Sequence, residues 1–134
     1  AARALDTLCS LDAAKLAIVR HSGLHPVFVL STFPDRITQR GAARIMRRLA
    51  SHPDNRGPLA GSPLLRHAMV MLVENSSPAV KRDLVEFFHH LASAPENRER
   101  LVDAGLLQAL KLHLDLTLVD TYVAFQVMQC IAQL

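Results

Sequence analysis

Seven histidines, two cysteines and a row of arginines are the side chains here with chemistry to offer. A metal site needs several nitrogen, sulfur or oxygen ligands converging on one point. His89 and His90 are adjacent, so on a helix they project about 100° apart and cannot chelate one ion. His21 and His25 have a useful i,i+4 spacing, but Gly23 and Pro26 interrupt the helix they would need. His113 and Asp115 lie on adjoining faces, and no HExxH occurs. Cys9 and Cys130 stand 121 positions apart with no CxxC spacing, which argues against a zinc site and against a disulfide framework. Both read as small buried hydrophobes in a reducing compartment. A Gly-rich phosphate loop, a Gly-x-Ser-x-Gly elbow and paired carboxylates are all missing. The expectation is a protein that is not an enzyme, with no catalytic residue, no metal and no cofactor.

The arginines are more informative. Twelve Arg stand against three Lys in a chain of net charge +3. An Arg presents a planar fork of donors suited to carboxylate or phosphate. Arg36, Arg40, Arg44 and Arg48 are i,i+4 neighbours, with Arg47 beside them, and no acidic residue occurs between Asp35 and Asp54. Like charges at that spacing repel by a few tenths of a kcal/mol per pair. Such a stripe is either a solvated outer face or a surface that something acidic meets.

The elements that position this stripe follow from an internal repeat. Residues 49–60, Leu-Ala-Ser-His-Pro-Asp-Asn-Arg-Gly-Pro-Leu-Ala, recur 42 positions later as Leu-Ala-Ser-Ala-Pro-Glu-Asn-Arg-Glu-Arg-Leu-Val, with seven of the twelve identical. The anchors Leu8, Leu49, Leu91 and Ile131 are 41, 42 and 40 positions apart. A helical period near 40 means one supersecondary unit stacked on its neighbours. Each unit reads as three helices. The long one ends at the anchor, spanning 35–50, 78–92 and 118–132. Ile37, Ile45, Met46 and Leu49 fit a helical period, as do Val80, Leu84, Phe87, Phe88 and Leu91. Ser93 with Glu96, and Ser51 with Asp54, look like boxes that cap the next helix start. A short helix over 97–104 then breaks at Gly105, which suits a left-handed helix end. The last helix runs over 106–116. Breaks are also expected near Gly23 and Pro63. Leu49, Leu64, Leu72, Leu91, Leu106 and Leu114 recur at the period and should be buried.

Residues 97–114, Asn-Arg-Glu-Arg-Leu-Val-Asp-Ala-Gly-Leu-Leu-Gln-Ala-Leu-Lys-Leu-His-Leu, resemble the core of an armadillo repeat. Ala-Leu-Asp-Thr-Leu-Cys-Ser at 4–10 and Arg-Arg-Leu-Ala-Ser at 47–51 resemble the end of that family's third helix. The resemblance covers nearly the whole chain and departs in the second repeat, where Pro63 replaces the glycine. It implies an all-α, right-handed superhelix of three to four repeats: a partial third helix at 1–11, then 12–51, 52–93 and 94–134. It also implies a concave groove lined by the third helices, in which an Asn before the anchor clamps an extended peptide. The matching positions are Thr7, Arg48, His90 and Cys130, and one turn earlier Arg3, Arg44, Glu86 and Gln126. Neither the Asn ladder nor its accompanying Trp is present, which argues against a basic nuclear-localisation peptide. An acidic or phosphorylated segment fits the arginines better. The implied binding residues are Arg40, Arg44, Arg47, Arg48, Glu86, His90 and Gln126.

Composition agrees with helix-on-helix packing: half the residues are apolar but only 4% aromatic, so Leu, Val, Ile and Ala must fill the core. No apolar run approaches the roughly 18 residues that cross a bilayer. The chain starts without Met or a signal-like segment, which reads as part of a larger chain or complex, cytoplasmic by default. A protein-interaction scaffold is the leading expectation. A structural subunit of a large assembly is the alternative. RNA binding fits less well, because base-reading solenoids carry stacking side chains in each repeat and Tyr122 is the lone Tyr.

Overall fold

The computed structural model describes residues 3, 4, 7, 12–21, 24–74, 77–116 and 121–134. Leu8, Cys9, Gly23 and Leu118 lie outside the described residues, as do the side chains of Leu114 and Gln126. Among the described residues there are nine α-helices and no strand: α1 Asp12–Arg20, α2 Leu24–Ser31, α3 Arg36–Ala50, α4 Arg56–Ala60, α5 Leu64–Glu74, α6 Pro78–Ala92, α7 Arg98–Asp103, α8 Leu106–Leu116 and α9 Thr121–Gln133. Short 3₁₀ turns, Pro53–Asn55 and Pro95–Asn97, lead into α4 and α7.

Two layers result. The long helices α3, α6 and α9 pack side by side in one, and α2, α5 and α8 form the other. Where α3 and α6 meet, Ala42, Ala43, Ile45, Met46 and Leu49 of α3 are fully buried, as are Leu84, Val85, Phe87, Phe88 and Leu91 of α6. Leu64, Leu72 and Leu106 are buried as well. Ile37 breaks the expected pattern: it is 80% exposed, on the wall of an open recess at the first turns of α3 and α6.

Local signals succeed at some ends and fail at others. Asp35 caps α3, its carboxylate accepting from the Thr38 amide at 2.9 Å and the Thr38 hydroxyl at 2.7 Å. Those bonds hold its carboxyl below the usual carboxylate value. Gly105 adopts φ +93°, the left-handed conformation expected there. The second repeat turns without one: Gly61 has φ −86° and Pro63 stands just ahead of α5. The expected capping boxes do not form. Ser51 and Ser93 instead close the preceding helices, their hydroxyls donating back to the Arg48 and His90 carbonyls at 2.5 Å. In the second repeat His52 takes the capping role, its Nδ1 accepting from the Asp54 amide at 3.1 Å. The short helix also begins one residue later than expected, at Arg98.

The repeated Pro-Asp/Glu-Asn-Arg run is the joint between repeats. Asn55 Nδ2 donates to two carbonyls of the preceding repeat, that of Leu49 and that of Lys15, 40 residues back, both at 3.0 Å. Asn97 Nδ2 does the same with Leu91 at 3.1 Å and Arg56, 41 residues back, at 3.0 Å. Both asparagines are buried. The following arginines cap the long helices: Arg56 Nε donates to the Ala50 carbonyl at 3.1 Å and Arg98 Nε to Ala92 at 3.2 Å. These side chains satisfy helix-end carbonyls that α3 and α6 cannot pair internally.

Candidate peptide-binding face

The long-helix layer carries six of the seven residues singled out for binding at positions whose side chains are described. Arg40 is exposed near the start of α3, while Arg44, Arg47 and Arg48 are half-buried farther along it. Glu86 and His90, also half-buried, sit on the adjacent α6. Gln126 belongs to α9, so it shares the layer.

Neighbouring helices meet part of this charge. Arg47 Nε lies 2.8 Å from Asp83 Oδ1, and Arg47 Nη1 lies 3.6 Å from Glu86 Oε2. The first contact is an ion pair without hydrogen-bond alignment. The partners are shielded: the side chains of Arg47, Asp83 and Glu86 retain 30%, 20% and 21% exposure. Burial therefore raises the Asp83 carboxyl above its usual value, against the downward pull of Arg47. Arg47 thus meets both α6 carboxylates and Arg44 also acts on Asp83, while α3 as a whole carries five arginines and no acidic residue.

His90 stands where the armadillo resemblance places a peptide-clamping Asn. Burial, and then the positive charge of Arg56, lower its pKa from 6.5 to about 4, with Glu86 opposing. The imidazole is neutral at pH 7 and offers one donor and one acceptor, the pair that an amide side chain offers. His89 Nδ1 beside it is buried without a hydrogen-bond partner. Among the described residues no group of three or more His, Cys, Asp or Glu could hold a metal. Cys130 is buried at 0% exposure, and burial pushes its thiol up to about 12. It is an inert thiol at neutral pH.

Sequence reasoning missed Asp83 and Arg56. The signal for Asp83 was present: it lies one helical turn before Glu86, on the long helix that follows the arginine helix in the stack. Contacts across a solenoid join positions close to one period apart, and here Arg47 and Asp83 are 36 apart.

No family model and no curated protein matches the chain. Solved structures do. An engineered protein solved as a structural-genomics target superposes on 98% of the chain with a TM-score of 0.85 and 26% identity. A designed armadillo repeat protein, in complex with the peptide (KR)4, superposes on 98% of it with a TM-score of 0.86 and 21% identity. The chain has the armadillo-repeat fold. Its all-α, right-handed superhelix is the architecture expected from the 42-residue repeat. The chain spans 53% and 55% of those two solved chains, and 32% of a further engineered protein at TM-score 0.85. Among the described residues no helix is long and apolar enough to cross a membrane.

Proposed function

We propose that this armadillo chain is a non-catalytic scaffold that holds an extended acidic segment of another protein against the α3–α6 face. The observation that carries this reading is the charge across two packed helices: Arg36, Arg40, Arg44, Arg47 and Arg48 on α3 against Asp83 and Glu86 on α6. A designed armadillo protein similar to this chain is complexed with a basic (KR)4 peptide, which supports peptide binding by this fold. The long helix α3 of this chain is arginine-rich, which favours an acidic ligand in place of a basic one. Guanidinium–carboxylate bonds would supply affinity, and neutral His90 would bond the peptide backbone. The reducing interior of a cell, most simply the cytoplasm, is the setting that suits a chain with unpaired Cys130.

The test is binding of a fluorescent Glu-rich extended peptide to the wild type and to R44E/R48E. Strong loss in a double variant that retains its helical circular dichroism at the assay temperature is the expected result, together with weakening as salt rises. Undiminished affinity in R44E/R48E removes the face from the argument.

A second reading, a structural subunit of a larger assembly, has its own observation. Phe125 and Met128 on α9 are 58% and 59% exposed. Counted back from the anchors Ile131 and Leu91, their counterparts on α6 are Val85 and Phe88, which are fully buried. Under that reading F125S/M128S abolishes association and R44E/R48E spares it.

A further inference from the structure

At the first turns of α3 and α6 the arginine-bearing face ends in a recess of about 510 Å³. Arg36 and Arg40 line it from α3, Glu74 from the last turn of α5 and Ser77 from the N-cap of α6. Among the described residues neither Arg36 nor Arg40 has an ion pair, and both are exposed. The acid nearest in sequence, Asp35, is engaged by Thr38 in the helix cap. Two guanidinium groups therefore share the recess with one carboxylate. A singly charged carboxylate gains little against Glu74, whereas a phosphomonoester carries about −1.5 to −2 at pH 7 and three acceptor oxygens for the arginine forks.

Gln39 also lines it, its amide donating to the Phe33 carbonyl at 2.8 Å, and the rest of the wall is apolar. Ile37, 80% exposed, lines the recess with Pro34, Pro78 and Val80. Such a wall suits an aromatic ring. Reach decides in the same direction: Arg40 lies one turn, about 6 Å along the helix axis, from Arg44. A side chain rooted in a peptide that crosses Arg44 and Arg48 must be long to arrive with its charge. We infer that this recess is a subsite for a phosphotyrosine side chain of the bound acidic segment, an inference that rests on the peptide-binding reading above.

Three Glu-rich probe peptides of one sequence test it, with Tyr, phosphotyrosine or phosphoserine at one central position. Their affinities are measured by fluorescence anisotropy on the wild type, R36Q/R40Q and R44E/R48E. Phosphorylating the Tyr is expected to tighten wild-type binding by about tenfold or more, each tenfold being about 1.4 kcal/mol. In R36Q/R40Q that gain should fall below about twofold, less than about 0.4 kcal/mol, with the melting temperature unchanged. Wild type that binds the Tyr peptide but gains nothing from phosphorylation overturns the subsite and leaves the peptide-binding reading intact. A gain that persists in R36Q/R40Q overturns it too, and an equal gain from phosphoserine overturns the assignment to an aromatic side chain. If neither Tyr peptide binds, the peptide-binding reading falls and takes the subsite with it.

Discussion

Replacing Asn97 by Ala removes two hydrogen bonds, to the Leu91 and Arg56 carbonyls. The Leu91 carbonyl keeps its backbone bond from Ala94 at 3.3 Å, so it is weakened and not orphaned. At about 0.5–1.5 kcal/mol per bond, the substitution should cost about 1–3 kcal/mol. Asn55→Ala removes the equivalent pair of bonds at the other joint, but the two sites differ in one atom. Asn55 Oδ1 is buried without a partner, and an unsatisfied buried acceptor costs about 1–3 kcal/mol. Deleting that oxygen relieves a penalty that offsets part of the loss. Asn55→Ala should therefore be milder than Asn97→Ala by on the order of 1 kcal/mol. Urea unfolding of both variants, followed by helical circular dichroism and fitted with a common slope, gives the comparison. Asn55→Ala costing as much as or more than Asn97→Ala would refute the reasoning.

Leu91→Ala, at a fully buried anchor, should cost about 2–5 kcal/mol in the same assay; under half a kcal/mol would mean that the anchor is not packed as described. Gly105→Ala should cost about 1–2 kcal/mol through its left-handed backbone alone, since no atom lies within 4 Å of the added methyl. The Arg47–Asp83 pair is only partly buried, and a double-mutant cycle with alanine should return about 0.2–1 kcal/mol. His90 titrates near 6.5 when unfolded and at about 4 when folded. The folded chain binds fewer protons between those values, so stability rises with pH across that window and levels off above it. His90→Gln should flatten this slope, and an NMR titration of the wild type should find the imidazole still neutral at pH 6.

The long helices were legible in the sequence because one physical signal repeats. Leu49 and Leu91 occupy equivalent buried positions 42 residues apart, and the apolar residues before each fall on one face. The joint was only half legible. The identity of Asn55 with Asn97 and Arg56 with Arg98 was plain, but their use was not. Ser51 and Ser93 were read forward as local caps, whereas their hydroxyls bond backward to the long helix, and it is Asn55 and Asn97 that reach about 40 residues back. Such pairing is non-local, and no window of sequence displays it. Ile37 fits the helical period and is nonetheless 80% exposed, because periodicity assigns a face without showing whether anything covers it.

The clamps reach across the repeats to main-chain oxygens. Asn55 holds the carbonyl of Lys15, and Asn97 holds that of Arg56, yet the side chains of Lys15 and Arg56 have other engagements. Any residue at the acceptor position would present the same oxygen. The clamp itself therefore constrains one asparagine per unit and asks nothing of the acceptor's side chain, even where, as at Arg56, that side chain has a capping role of its own. A whole unit can be duplicated or excised at this seam without a matching change next door, so a chain built this way can change length by gene rearrangement while its exposed faces diversify independently.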